Sequence, residues 1–326
     1  MNFKSKILIA LFALGTILGS CDSLIYDDFK DCPQGVYVKF YSMTPCEVDS
    51  TFIGNVSSLT VFAFDENGRL VASVSEKNVV LSKDFEVLVP VSDGNYSFVA
   101  WTGIDDKFTT SEFSRGVTTK KDVLLRIRST NSAATQIANT HIWHGESPVV
   151  FLPDPDLYGT VYKHTAVNLK ELTNRVKVVV EFEPSVTKSV TPKDLAVAVS
   201  SANGTVLIDA TMPLNSPILN FAPLNTTYTT NSVTWDFALL NLMTGYHNKL
   251  TITYPEAKQN VFDGDLLASI LLNPIEGGIN LDCENDFTVR FVVKDYCAQC
   301  QTETHFICAV YVNDWMVHSY STELGI

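Results

Sequence analysis

Much of what a catalytic or nucleic-acid-binding protein needs is scarce in this chain. Arginine occurs only six times in 326 residues, and not at all before Arg69. Acidic residues outnumber basic ones by 36 to 23, a balance that repels polyphosphate, so nucleic acid is not an expected partner. The patterns G-x-S-x-G, H-E-x-x-H and G-x-x-x-x-G-K-[ST] are missing, which removes the sequence signals of a nucleophile elbow, a zinc peptidase and a phosphate-binding loop. Helical periodicity is faint; only the polar stretch Thr130 to Asn139 suggests one short helix. No repeat recurs at a fixed period of about 20–50 residues. After the N-terminus, no apolar run approaches the roughly 18 residues of a membrane-spanning helix.

The N-terminus carries a processing signal. Lys4 and Lys6 precede an apolar run from Ile7 to Leu18, interrupted only by Gly15 and Thr16. Twelve residues are too few to cross about 30 Å of hydrocarbon, but they suit the apolar region of a signal peptide. The run ends in Leu18-Gly19-Ser20-Cys21, the pattern at which a lipoprotein is acylated and cleaved. Residues 1–20 are therefore expected to be removed and Cys21 to carry diacylglycerol and an N-acyl chain. Several chains together anchor stably, each buried methylene contributing about 0.8 kcal/mol. Without Lys4 and Lys6 the mature chain holds 21 basic residues against 36 acidic.

The remaining cysteines, Cys32, Cys46, Cys283, Cys297, Cys300 and Cys308, are even in number. In an exported protein this reads as disulfides, with fifteen possible connectivities. Proximity favours Cys32 with Cys46, and separate pairing among the four C-terminal cysteines. Cys297-x-x-Cys300 also has the spacing of a redox pair or half a zinc site, although it lies between two strand candidates rather than opening a helix.

The rest reads as strands and turns. Gly35 to Tyr41 alternates Val36, Val38 and Phe40 with Tyr37, Lys39 and Tyr41. Leu59 to Phe64 and Leu70 to Val74 flank Asp65-Glu66-Asn67-Gly68, where Asn-Gly suits a type I′ hairpin turn. Phe85 to Val89 and Tyr96 to Trp101 flank Asp93-Gly94. Val123 to Ile127, Pro148 to Leu152, Val161 to Leu169, Arg175 to Phe182, Leu195 to Val199 and Val206 to Ile208 continue the series. It closes with Val233 to Leu240, Lys249 to Tyr254, Asp265 to Leu272, Phe287 to Val293, His305 to Val312 and Trp315 to His318. Strands at this spacing imply an all-β protein of sandwiches. Since 306 mature residues exceed one ordinary core, two domains are expected, 35–171 and 172–326, after a lipidated segment 21–34.

Candidate chemistry is thin. His141 and His144 have a ligand-like spacing, but residues three apart on a strand face opposite ways. Asp154 and Asp156 read as a rigid acidic turn with too few carboxylates for a calcium set. Asp27-Asp28 and Asp105-Asp106 read as solvated turns, and Tyr96, Phe98 and Trp101 as core. Neither a catalytic residue, a metal site nor a cofactor other than the lipid is expected.

Two stretches carry a resemblance. Cys21-Asp22-Ser23-Leu24-Ile25-Tyr26-Asp27-Asp28, running into Asp31-Cys32-Pro33-Gln34-Gly35-Val36-Tyr37-Val38-Lys39-Phe40, resembles the FimB-like fimbrial anchor family, the anchor subunits of type V pili. Val310-Tyr311-Val312-Asn313-Asp314-Trp315-Met316-Val317-His318 resembles that family's closing hairpin. The strand ending at Trp101 and a turn at Trp143-His144-Gly145 also fit. The resemblance implies two tandem transthyretin-like Greek-key sandwiches, an outer-membrane location through the lipid, surface exposure, and a fimbrial stalk subunit (fimbrillin) as partner. Stalk subunits of such pili lose a first strand to an arginine-specific protease and accept a neighbour's C-terminal strand. An anchor must keep its first strand, and the arginine-free segment Cys21 to Gly68 agrees with that. The strand Val36 to Tyr41 is thus expected to stay, and Ala309 to His318, with Val310, Val312, Trp315 and Val317, to meet the last stalk subunit. Competing readings are a surface glycan-binding lipoprotein, a lipid-anchored hydrolase, and a tip or stalk subunit.

Overall fold

A computed structural model describes residues 32–184, 191–255, 259–271, 279–295 and 305–323. Residues 1–20, Cys21, Cys297 and Cys300 lie outside the described residues.

Alternation organises the first half. β1 (Gly35–Tyr41) buries Val36, Val38 and Phe40 and turns Tyr37, Lys39 and Tyr41 outward. There follow β2 (Gly54–Phe64), β3 (Leu70–Leu81), β4 (Glu86–Pro90) and β5 (Gly94–Thr102). Shorter pieces come next: β6 (Phe108–Thr110), β7 (Val123–Ile127), β8 (Ser129–Thr130), β9 (Ala133–Ala134), β10 (Trp143–Glu146) and β11 (Val150–Leu152). β12 (Tyr162–Asn168) and β13 (Lys170–Glu171) complete this half. A sheet ordered β12-β1-β4 packs on one ordered β13-β10-β5-β2-β3, with β11 also on β5. Val36, Val38, Phe40, Val61, Val89 and Phe98 are among the residues that meet between them.

The second half repeats the scheme. Its strands are β14 (Thr173–Phe182), β15 (Ala196–Ser201), β16 (Thr205–Leu207), β17 (Leu219–Phe221), β18 (Asn225–Tyr228), β19 (Ser232–Leu240), β20 (Lys249–Tyr254), β21 (Gln259–Asp265), β22 (Asp286–Asp295), β23 (His305–Val312) and β24 (Trp315–Glu323). One sheet runs β18-β19-β14-β22-β23-β24, the facing one β21-β20-β15-β17-β9-β8. In each half the first strand lies between an antiparallel neighbour and a parallel one: β1 between β4 and β12, β14 between β19 and β22. The protein is all-β, two sandwiches in tandem.

The halves share a core. β7 pairs with β16, and β9 with β17, so residues 123–134 extend sheets built from residues 205–221. This covers the outer face of β5. Phe98 and Ala100 point into the first core, Val99 and Trp101 into the second, and the Trp101 indole donates to the Ile208 carbonyl at 2.8 Å. A strand buried on both faces becomes a continuous apolar run rather than an alternating one.

Four local expectations are corrected. Thr130 to Asn139 is not helical; it holds a tight turn at Asn131 and Ser132, both with positive φ, between β8 and β9. The expected strand Asp265 to Leu272 is replaced over its described residues by the end of β21 at Asp265 and a helix. Leu266–Leu271 is a short helix that buries Leu266, Leu267 and Ile270, and Asp265 Oδ1 accepts from the Ala268 amide at 2.7 Å as its cap. The Asn67-Gly68 turn is not type I′, which needs positive φ at both residues; only Gly68 has it, and the loop carries a bulge after Ala63. Trp143-His144-Gly145 is part of β10 rather than a turn, and runs so close to β12 that a Cβ on Gly145 would lie 2.1 Å from the Asn168 carbonyl oxygen.

The cysteine pairing is also corrected. Cys46 bonds Cys283, not Cys32. Cys32 and Cys46 sit beyond opposite ends of β1, and a seven-residue strand spans about 23 Å, far more than the roughly 7 Å Cα separation a disulfide tolerates. The loop after β1 instead abuts the turn before β22, where the two Cα atoms are 5.8 Å apart. Cys32 is itself disulfide-bonded. Cys308 is a buried thiol on β23.

Candidate functional site

With no metal-binding group of histidine, cysteine or carboxylate side chains among the described residues, the features that distinguish this molecule are its two ends and its waist. At the C-terminal end, β23 and β24 form a hairpin around Asn313 and Asp314, with φ of 45° and 68°. These are the two positive-φ residues of a tight primed turn, and Asn and Asp tolerate that conformation best after glycine. The turn is fastened to β22: the Asn313 amide donates to the Thr288 carbonyl at 2.9 Å, and Asn313 Oδ1 accepts from the Thr288 amide at 2.8 Å.

The four residues expected to make up a contact strand divide between two strands and two environments. Val310 and Val312 lie on β23, which is paired on both sides, and their side chains are buried in the second core. Their main chain is paired on both sides and offers no open edge for strand addition. Val317, on β24, packs partly against the core, whereas Trp315 is 56% exposed and Met316 beside it is exposed as well. β24 is the last strand in its sheet. An end strand keeps a row of unpaired amide and carbonyl groups, the template on which another strand adds.

At the other end, β1 has no such edge. Val36 and Val38 are fully buried, and Phe40 nearly so. Its entry is fastened by Gln34, whose Nε2 donates to the Pro153 carbonyl at 3.0 Å and lies 3.4 Å from that of Gly159.

Polar and covalent links cross the waist. Arg175, at the start of β14, donates from Nε and Nη2 to Asp286 at 2.7 and 2.9 Å and from Nη1 to Glu171 at 2.6 Å. His141 Nδ1 lies 2.7 Å from the same Glu171 oxygen. The hydrogen bond from Arg175 holds the Asp286 carboxyl below the usual carboxylate range. Lys170 pairs with Asp282, and the Cys46–Cys283 bridge lies beside them. Sequence reading passed over Arg175, Glu171 and Asp286, because their partners are 4 and 111 residues away and no local pattern marks them.

The two histidines face apart, His141 lying before β10 and His144 on it. His141 faces solvent, while His144 packs on Trp101 with the rings tilted and their centroids 4.7 Å apart, its Nε2 buried without a hydrogen-bond partner. Burial lowers its pKa to about 4, partly opposed by Asp209. Asp154 caps the helix Pro155–Tyr158 by accepting from the Asp156 amide. Asp105 binds Lys107 and Thr140, forming a local turn. Among the described residues, none of these groups assembles a nucleophile, a base and a stabilising donor set around one point.

Known proteins agree with this architecture. A family model for the fimbrillin-A associated anchor proteins Mfa1 and Mfa2 matches residues 29–321. The minor fimbrium anchoring subunit Mfa2 of Porphyromonas gingivalis is 36% identical over 317 residues, which are 97% of this chain and 95% of that one. The major fimbrium anchoring subunit FimB of the same species is 28% identical over 142 residues, 41% of this chain and 44% of that one. Among solved structures, the fimbrial anchor protein Mfa2 from Porphyromonas gingivalis aligns with a TM-score of 0.78 at 34% identity, covering 89% of this chain and 100% of that chain. A putative polysaccharide binding protein from Bacteroides thetaiotaomicron aligns at 0.68 with 23% identity, covering 88% and 97%, a likeness of fold. The FimB-like resemblance is thereby sharpened, since the near-full-length likeness is to Mfa2. With the match running from before β1 to within β24, this chain belongs to the Mfa1 and Mfa2 family of fimbrial anchor proteins.

Proposed function

We propose that this protein holds the base of a fimbria at the outer membrane through lipid on Cys21, and ends the fimbria's growth by offering one closed end and one open edge. The observation that carries the reading is β1. It is the middle strand of its sheet, paired with β12 and β4 along most of its length, and burying its three apolar side chains contributes about 1.5–3 kcal/mol each. A subunit that keeps this strand has no vacant groove for a neighbour to fill. The same strand joins the folded body to Cys21, so its retention also keeps the body tied to the lipid. β24 is the complementary element. Its outer edge, with Trp315 and Met316 exposed, suits strand addition by the last stalk subunit, a fimbrillin. Nothing in the reading calls for catalysis, a cofactor or nucleic acid.

The test has two arms. Deleting Trp315 to Ile326 is expected to abolish binding to purified stalk subunit. A Trp315→Ala, Met316→Ala double variant, which keeps the strand, should weaken it; undiminished binding by both would sink the assignment of β24. Separately, a Cys21→Ala variant should fold normally and release fimbriae into the medium. Fimbriae retained on those cells would make the lipid incidental.

A further inference from the structure

Exposed apolar side chains are frequent along one segment, near where the chain enters the fold. Between residues 149 and 162, Leu157 is 77% exposed, Tyr158 68% and Phe151 61%, and Val149 and Tyr162 are exposed too. Tyr162 continues onto the outer face of β1, its ring 5.7 Å from that of Tyr37. Single exposed apolar residues are ordinary, but several large ones on one short segment mark a contact surface. The segment is held in shape: Gln34 bonds the carbonyls of Pro153 and Gly159 on either side of the helix Pro155–Tyr158, and Asp154 caps that helix.

Gln34 also says what covers this surface. It lies 13 residues after Cys21, a distance of at most about 45 Å even for a fully extended chain. Any membrane that takes up the acyl chains therefore lies within about 45 Å of the patch. The composition suits a bilayer interface: tyrosines have an apolar body with a polar tip, and phenylalanine and leucine insert below them. Residues 149–162 contain no lysine or arginine, so attraction to anionic headgroups is not the driving force; apolar insertion into a neutral interface is.

We propose that Phe151, Leu157, Tyr158 and Tyr162 rest in the headgroup region of the membrane that holds the lipid, fixing the orientation of the body rather than leaving it on a loose tether. This rests on the lipid reading of Cys21, and the experiment separates the two. The acylated full-length protein is reconstituted into phosphatidylcholine vesicles, and backbone amide exchange over residues 149–162 is compared with that of the Cys21→Ala protein in solution. Exchange there should slow several-fold on vesicles, independently of salt. A Phe151→Ser, Leu157→Ser, Tyr158→Ser variant should stay acylated and attached, yet lose that protection and leave the vesicles roughly tenfold faster, the loss of about 1.4 kcal/mol of buried apolar contact.

Unchanged exchange on vesicles with firmly attached protein would overturn the patch and leave the lipid reading intact. Vesicle binding by the Cys21→Ala protein, with protection at 149–162, would support the patch and show that it binds without the lipid. Two other occupants would also overturn the proposal. Dimerisation in solution that Leu157→Ser abolishes would mean a second copy covers the patch; faster exchange after deletion of residues 22–31 would mean the chain's own leader does.

Discussion

β1 is flanked by β12 and β4, whereas among the described residues β24 has a neighbour on one side only. β1 buries all its apolar side chains; β24 leaves Trp315 and Met316 in solvent. The two strands stand at opposite ends of the described chain, and the contrast is between a strand the fold cannot release and one through which it can be extended. The open side of β24 is a place where a strand can add, while β1 is already filled on both sides.

The contrast should break first at β1. Phe40→Ala, in the middle of the first core, is expected to cost about 3–5 kcal/mol in urea unfolding, and a loss below about 1 kcal/mol would mean that β1 is not the fixed strand described. Replacing both Cys46 and Cys283 by serine should lower stability by about 2–4 kcal/mol under oxidising conditions, with limited proteolysis cutting first near the waist. Acid gives a third handle. The unfolded chain takes up a proton on His144 near pH 6.5 while the folded protein does so only near 4, so full stability is present above 6.5 and is lost as pH falls toward 4. The loss amounts to about 3 kcal/mol at pH 4, and His144→Phe should remove that share of the acid sensitivity in denaturant midpoints at pH 7.5 and 4. The smallest effect belongs to β24: Trp315→Ala should change stability by no more than about 0.5 kcal/mol, whereas Val312→Ala on the neighbouring strand should cost about 1–3 kcal/mol. Equal losses would erase the difference between wall and edge.

The strands themselves were legible wherever one face is buried and the other wet. β1, β14, β19 and β22 follow the period-two pattern the pleat imposes, and their observed bounds differ from the expected ones by a few residues. The family could be read from the residues leading into β1 and from the closing hairpin. What failed depends on residues far apart in sequence. That β5 would be buried on both faces was not legible, although its strand was, because a second core covers its outer face. Cys46 meets Cys283 across 237 residues, and only the return of the chain before β22 brings them together. Which strand of the closing hairpin lies at the end of the sheet was not legible for a similar reason: it depends on sheet order, and β23 and β24 look alike as apolar runs. The helix Leu266–Leu271 shows the ordinary ambiguity of a short apolar segment, resolved by the cap at Asp265.

The bridge at the waist has a mechanical consequence. Suppose tension is applied between the start of β1 and the sheet that ends in β24. From β1 one covalent route runs to Cys46, across to Cys283, and within three residues into Asp286, the first residue of β22. Residues 47–282 hang outside that route. A pull along it cannot unravel them from the N-terminal side in sequence, because the disulfide takes the load before they feel it. Most of the folded mass then acts as a body clamped to a short cable rather than as links within it.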